Sequence, residues 1–153
     1  MSHEILAAVR ITRSRIGVVV FKGTKLEFVR CLNLPFTNRE SAVASLENFL
    51  GWVIEQFRRP TLAMEEQGAR AGPESLTDEV ANIAKAHNLP LITIPVSTIF
   101  QAYAFPAVQS RSELRSIAAV IWPTLGLLKQ REILDAAAFG LYAQTENLLA
   151  ARY

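Results

Sequence analysis

The chain holds a single cysteine, Cys31, and two histidines, His3 and His87, among its 153 residues. One thiol excludes an internal disulfide framework and suits a reducing cytoplasm. Neither histidine has a partner at ligand spacing, so a zinc site is not expected. Cys31 lies in a β-like run and reads as a small core residue rather than a nucleophile. Long apolar runs are also missing. One of the longest, at positions 16–21, is strand-length, far short of the ~20 residues that span a bilayer. No membrane partner is therefore expected. The Met-Ser-His-Glu start shows no secretory leader. No repeat, linker or low-complexity tail occurs, and there is no Ser-His-Asp order or Gly-rich phosphate loop. The formal net charge, +2, is too small to name a polyanionic partner by itself. The distribution says more: Arg10, Arg13 and Arg15 cluster early, and Arg111 and Arg115 cluster late.

Half of the residues are hydrophobic, and the length suits one domain, 1–153, with its own core. Positions 4–11, 16–21 and 25–32 read as three strands joined by the short turns Thr12-Arg-Ser-Arg15 and Lys22-Gly-Thr24, an antiparallel meander. Val43, Leu46, Phe49, Leu50, Val53, Ile54 and Phe57 recur at helical spacing. Ser41 or Asn38 caps that helix and Pro60 stops it. Positions 61–64 form a fourth strand running into Glu65 and Glu66, followed by a Gly- and Pro-containing loop at 67–73. A helix at 77–87 turns Val80, Ile83 and Ala84 inward, and 91–94 is a fifth strand. Positions 96–107 read as a short helix and a loop around Pro106. Ser110 opens a helix with Leu114, Ile117, Ala118 and Ile121 on one face, closed by Pro123. A last helix runs from near Lys129 to about Leu149. The expected fold class is α/β, a mixed five-stranded sheet with helices packed on it.

The chemistry concentrates in the stretch Glu132-Ile-Leu-Asp135-Ala-Ala-Ala-Phe-Gly-Leu-Tyr-Ala143. Glu132 and Asp135 stand three apart, one helical turn from each other on one face. The segment is otherwise apolar enough to be buried. A buried carboxylate is costly unless it meets a cation, a metal or hydrogen-bond donors. Asp135 could meet Arg10 or Lys129, or ligate a metal; Glu132 could complement the helix dipole. Glu65 and Glu66 could be an exposed strand end or a site. Arg13 and Arg15, at a hairpin turn, are either solvated or in contact with phosphates. Phe100, Tyr103 and Phe105 could stack on bases or cover an apolar interface.

The element order, with an acid ending strand four and acids on the last helix, resembles the ribonuclease H-like superfamily. Within it the RuvC-type Holliday-junction resolvases and their YqgF-type relatives are the nearest likeness. Arg15-Ile-Gly-Val-Val-Val20 is similar to the Arg-Ile-Gly-Val-Ala-Val of YqgF proteins. Thr61-Leu-Ala-Met-Glu65 looks like the family's strand ending in a catalytic Glu. Leu89-Pro-Leu-Ile-Thr-Ile-Pro95 with Ser110-Arg-Ser-Glu-Leu114 is similar to the RuvC strand and the helix that follows. Glu132 to Ala143 matches Asp-Ala-Ala-Asp-Ala-Leu-Ala and its continuation. The resemblance implies phosphodiester hydrolysis with two Mg²⁺ or Mn²⁺ ions held by clustered carboxylates. It implies Glu65, Asp135 and Glu132 as catalytic residues and metal ligands, with Glu66 as a neighbour.

One position departs from that pattern. A further acid belongs in strand one, seven residues before the matched glycine Gly17, and Arg10 stands there. A guanidinium stays charged and cannot ligate a metal. The RuvC loop with a Lys and Gly-Ser-Gly is also replaced, by Thr98-Ile-Phe-Gln-Ala-Tyr-Ala-Phe-Pro106. Two expectations follow. The first is a RuvC-like domain degenerate in catalysis, binding nucleic acid (DNA rather than RNA) or a protein partner. The second is a divergent metal-dependent endonuclease. In either, Arg10, Arg13 and Arg15 are the candidate phosphate contacts. A homodimer is a further implication of the resemblance. The direction in which Arg10 points discriminates between the two.

Overall fold

Alternating and β-branched residues build the first half of the chain into strands, as the period-2 pattern predicts. The computed structural model describes residues 4–12, 14–35, 38–66, 76–103 and 109–150. Ile5–Ile11 (β1), Arg15–Lys22 (β2) and Lys25–Asn33 (β3) form the expected antiparallel meander. Gly23 closes its second turn at φ 59, a left-handed conformation that glycine adopts without steric cost. Val20 pairs with Phe28 and Phe21 with Leu26, so Glu27 is an extra residue that bulges β3.

Helix α1 (Arg39–Gln56) begins where the Asn38 side chain accepts from the Ser41 backbone N–H at 3.1 Å. That choice settles the cap in favour of Asn38 over Ser41. Strand β4 (Thr61–Glu65) pairs parallel with β1, and after α2 (Thr77–Ala86) strand β5 (Leu91–Ile94) pairs parallel with β4. The sheet order is β3-β2-β1-β4-β5. Four helices complete the described chain: α3 (Val96–Tyr103), α4 (Arg111–Ile121), α5 (Pro123–Leu128) and α6 (Arg131–Ala150).

The strand period sorts side chains to two faces. Leu6, Ala8, Val19, Phe21 and Ala63 pack with α4, α5 and α6, whereas Ala7, Val9, Val18, Val20, Leu62 and Met64 pack with α1 and α2. Continuing the same alternation, Arg10, Gly17 and Glu65 belong to the α6 face.

The second half departs from the sequence reading at its joints. Pro123 does not merely close α4; it opens α5, where a missing N–H costs nothing. Lys129 is not the start of the last helix. It ends α5 in a left-handed conformation at φ 55, and α6 begins at Arg131. Ile121 was expected inward but is 43% exposed. The chain turns at Trp122, and that ring instead lies 6.1 Å from Phe21. Leu114 and Ala118 are buried as expected.

Helix α6 lies unusually close to the sheet, and two glycines permit it. A Cβ on Gly140 would sit 2.7 Å from the Ala8 Cβ and 2.7 Å from the Phe21 ring. A Cβ on Gly17 would sit 2.8 Å from the Glu132 backbone. The first turn of α6 is thereby laid directly over the β2 backbone.

Candidate functional site

Parallel strands β1 and β4 end side by side. Their register aligns Val9 with Met64, and one residue further along each strand stand Arg10 and Glu65. The first turn of α6 brings Asp135 over the same point. Helix α4 crosses beside it, and Arg111 and Arg115, one turn apart, project from one helix face into the gap.

Glu65 and Asp135 are 4% and 0% exposed, yet both are fully partnered. Arg111 grips Glu65 through both carboxylate oxygens: Nη1 donates to Oε1 at 2.9 Å and Nη2 to Oε2 at 2.5 Å. Arg115 does the same for Asp135, Nε donating to Oδ1 at 2.8 Å and Nη2 to Oδ2 at 3.0 Å. Such two-pronged pairs are the strongest side-chain ion pairs available. Arg10 lies between them. Its Nε donates to Asp135 Oδ2 at 3.3 Å and its Nη1 lies 3.5 Å from Glu65 Oε2. Arg111 also comes within 3.8 Å of Asp135 Oδ2. Hydrogen bonding to Glu65, above all, raises the pKa of Arg111 beyond the ordinary arginine value, and hydrogen bonding to Asp135 does the same for Arg115. Burial opposes both shifts and is outweighed.

Glu132 is buried next to this cluster but serves other partners. The Thr12 hydroxyl donates to Glu132 Oε2 at 3.0 Å, and Arg15 Nη1 lies 4.0 Å from Oε1. The Cys31 thiol donates weakly to the same Oε1 at 4.0 Å. Its pKa is pushed up by burial first and by the Glu132 charge second, with Arg15 pulling the other way. Arg15 is 45% exposed at its side chain and points to the rim. Glu66 is exposed; its contribution is a backbone N–H donated to Ile94. Arg13 lies outside the described residues, as do His3, Phe105 and the 67–73 loop.

The remaining candidates resolve simply. Among the described residues, Lys129 makes no ion pair with Asp135, because it is exposed at the end of α5. The Tyr103 hydroxyl donates to the Ala138 carbonyl, and Phe100 and Tyr103 pack on the α6 cluster, so these rings face the core rather than a base. His87 caps the end of α2, and its carbonyl accepts from Arg59 at 2.8 Å.

Sequence reasoning marks Arg111 and Arg115 as a late basic cluster but does not place them in the site. Their signal was present: two arginines at i and i+4 on the helix preceding an acid-bearing helix. Nothing in the sequence said which face of α4 would meet Asp135.

The donor set does not fit a divalent cation in this arrangement. All four carboxylate oxygens of Glu65 and Asp135 face guanidinium nitrogens, so a hard cation would have to displace an arginine to reach them. With Glu132 and its rim partner Arg15 included, four guanidiniums face three carboxylates, and the positive surplus repels a cation. Among the described residues, no group of three or more His, Cys, Asp and Glu side chains could hold a metal ion.

No protein-family model and no curated protein sequence matches this chain. Solved structures do. Thermus thermophilus RuvC in complex with a Holliday junction substrate superposes with a TM-score of 0.70 at 18% identity, over 95% of this chain and 98% of that one. The fold is RuvC-like. The yeast mitochondrial Holliday junction resolvase Ydc2 gives a TM-score of 0.61 at 13% identity, over 97% of this chain and 80% of that one. The fowlpox virus Holliday junction resolvase gives 0.55 at 16%, over 93% and 99%. The expected ribonuclease H-like architecture is therefore present from the meander to the last helix. On this RuvC-like frame, Glu65 and Asp135 meet at the carboxyl ends of β1 and β4 with Arg10 between them.

Proposed function

We propose that this chain is a RuvC-like domain that binds DNA and does not hydrolyse it. The observation that carries the reading is the pairing of Glu65 and Asp135 with Arg111, Arg115 and Arg10. In a two-metal mechanism those oxygens must hold the ions that polarise the phosphate and activate water. Here they hold arginines. The DNA part of the reading rests on likeness: Thermus RuvC and the fowlpox resolvase were both solved with Holliday junction DNA. The positive surplus at the corresponding strand ends points the same way.

The alternative, a divergent Mg²⁺- or Mn²⁺-dependent endonuclease using Glu65, Asp135 and Glu132, requires the arginines to withdraw and the carboxylates to exchange partners. A protein partner is a second reading for a different surface. Val120 and Leu127 are 79% and 81% exposed beside Ile121 and Leu128, an apolar patch on α4 and α5.

The test is a labelled four-way DNA junction incubated with the protein in Mg²⁺ and in Mn²⁺. Retarded complex with intact strands is expected. Strand cleavage that disappears in Asp135→Asn would overturn the non-catalytic reading. A calorimetric Mn²⁺ titration run beside it should show no heat that Asp135→Asn removes.

A further inference from the structure

Among the three clustered arginines, Arg10 stands apart. Arg111 and Arg115 each close a two-pronged pair on one carboxylate, at 2.5 to 3.0 Å. Arg10 touches both carboxylates at 3.3 and 3.5 Å and closes a pair with neither. Without Arg10, Glu65 and Asp135 each keep one guanidinium and Glu132 keeps Arg15 at the rim, so the charges balance three against three. The unit of surplus positive charge therefore belongs to Arg10. That surplus sits in a largely buried cluster, where an anion bound from outside would offset it.

Its surroundings show where that charge would come from. Arg10 is 16% exposed, next to Arg111 at 30% and Arg115 at 22%, so the cluster has one wetted side. A guanidinium carries five N–H donors. Among the described residues, the hydrogen bonds to Glu65 and Asp135 leave Arg10 Nη2, Arg115 Nη1 and Arg111 Nε unused. These donors lie at the carboxyl ends of two parallel strands, the end at which open α/β sheets bind ligands. Arg15, half-exposed at the rim, extends the same positive edge.

We infer that Arg10, flanked by Arg111 and Arg115, is a metal-free clamp for one phosphodiester group of bound DNA. Glu65 and Asp135 hold the flanking forks in place, and Arg10 supplies the charge that the phosphate neutralises. This deepens the DNA-binding reading above and rests on it. No bond is made or broken; the step is association alone.

The measurement is the affinity for a fluorescent four-way junction across a salt series, in EDTA and in Mg²⁺, for wild type, Arg10→Met and Arg10→Lys. Wild type should bind equally well in EDTA. Arg10→Met, which leaves both two-pronged pairs intact, should weaken binding on the order of tenfold, the size of one charge-assisted hydrogen bond. It should also flatten the log–log salt dependence by about 0.9, one phosphate contact. Arg10→Lys keeps the charge and loses the fork, so it should keep the slope and lose several-fold in affinity. A wild-type slope in folded Arg10→Met overturns the clamp while leaving DNA binding standing. Should Arg10→Met not fold, unchanged affinity in Arg10→Lys overturns it instead. Wild-type binding that vanishes in EDTA overturns the metal-free clamp, and no wild-type binding at all overturns the DNA-binding reading with it.

Discussion

Arg10, Arg111 and Arg115 share two carboxylates, but they are not equivalent in stability. Removing Arg111 leaves Glu65, 4% exposed, with only the loose Arg10 contact. Removing Arg115 leaves Asp135, fully buried, with the Arg10 contact at 3.3 Å and the distant Arg111 contact at 3.8 Å. Leaving one member of a buried ion pair costs about 3 kcal/mol or more, so Arg111→Leu and Arg115→Leu should each lower urea-unfolding stability by that order. Arg10→Met should change it by less than about 1 kcal/mol, because it removes a surplus charge rather than a partner. Equal losses at all three positions would contradict the division of labour. Cys31 offers a separate check on the neighbouring acid. Burial and then Glu132 hold its thiol above the ordinary value, so at pH 8 it should react slowly with a thiol reagent. Glu132→Gln removes the second cause, lowers the pKa and should speed the reaction; slower modification would contradict the contact.

At the scale of elements, the close seat of α6 decides where the acids stand. An added methyl at Gly140 has no free space between Ala8 and Phe21. Gly140→Ala should therefore cost about 2 kcal/mol, the usual range for overpacking a tight core, read as a lowered urea midpoint. Gly17→Ala pushes on the Glu132 backbone itself and should disturb the Thr12–Glu132 hydrogen bond as well as stability. The strands were legible from the sequence because their faces are written in period-2 alternation. Asn38, Glu65 and the α6 acids were legible too, since each sits at an element end with a distinctive residue type. The joint at Pro123 was not, because a proline stops one helix and starts another by the same chemistry. The partnership of Arg111 and Arg115 was not, because helix periodicity gives a shared face but no orientation relative to another helix.

For the whole molecule, the site's charge balance sets what would be needed to hold a metal. Because the RuvC resemblance places an acid where Arg10 stands, Arg10→Asp would by that resemblance create metal affinity. The structure revises that expectation. With Arg111 and Arg115 still paired to Glu65 and Asp135, Arg10→Asp adds one carboxylate among occupied ones. We expect no calorimetric Mn²⁺ binding by Arg10→Asp alone, and measurable binding only when Arg111→Gln and Arg115→Gln are combined with it. Binding by the single variant would show that the guanidiniums yield readily to a cation.

This mutual holding has a consequence for redesign. Replacing Arg111 or Arg115 first abandons a buried carboxylate, while replacing Arg10 first gains nothing that a cation could use. Each one-residue step toward a carboxylate-only centre is thus either harmful or without benefit, and the benefit arrives only after the third. The three arginines act as a lock that opens only when all three are replaced together.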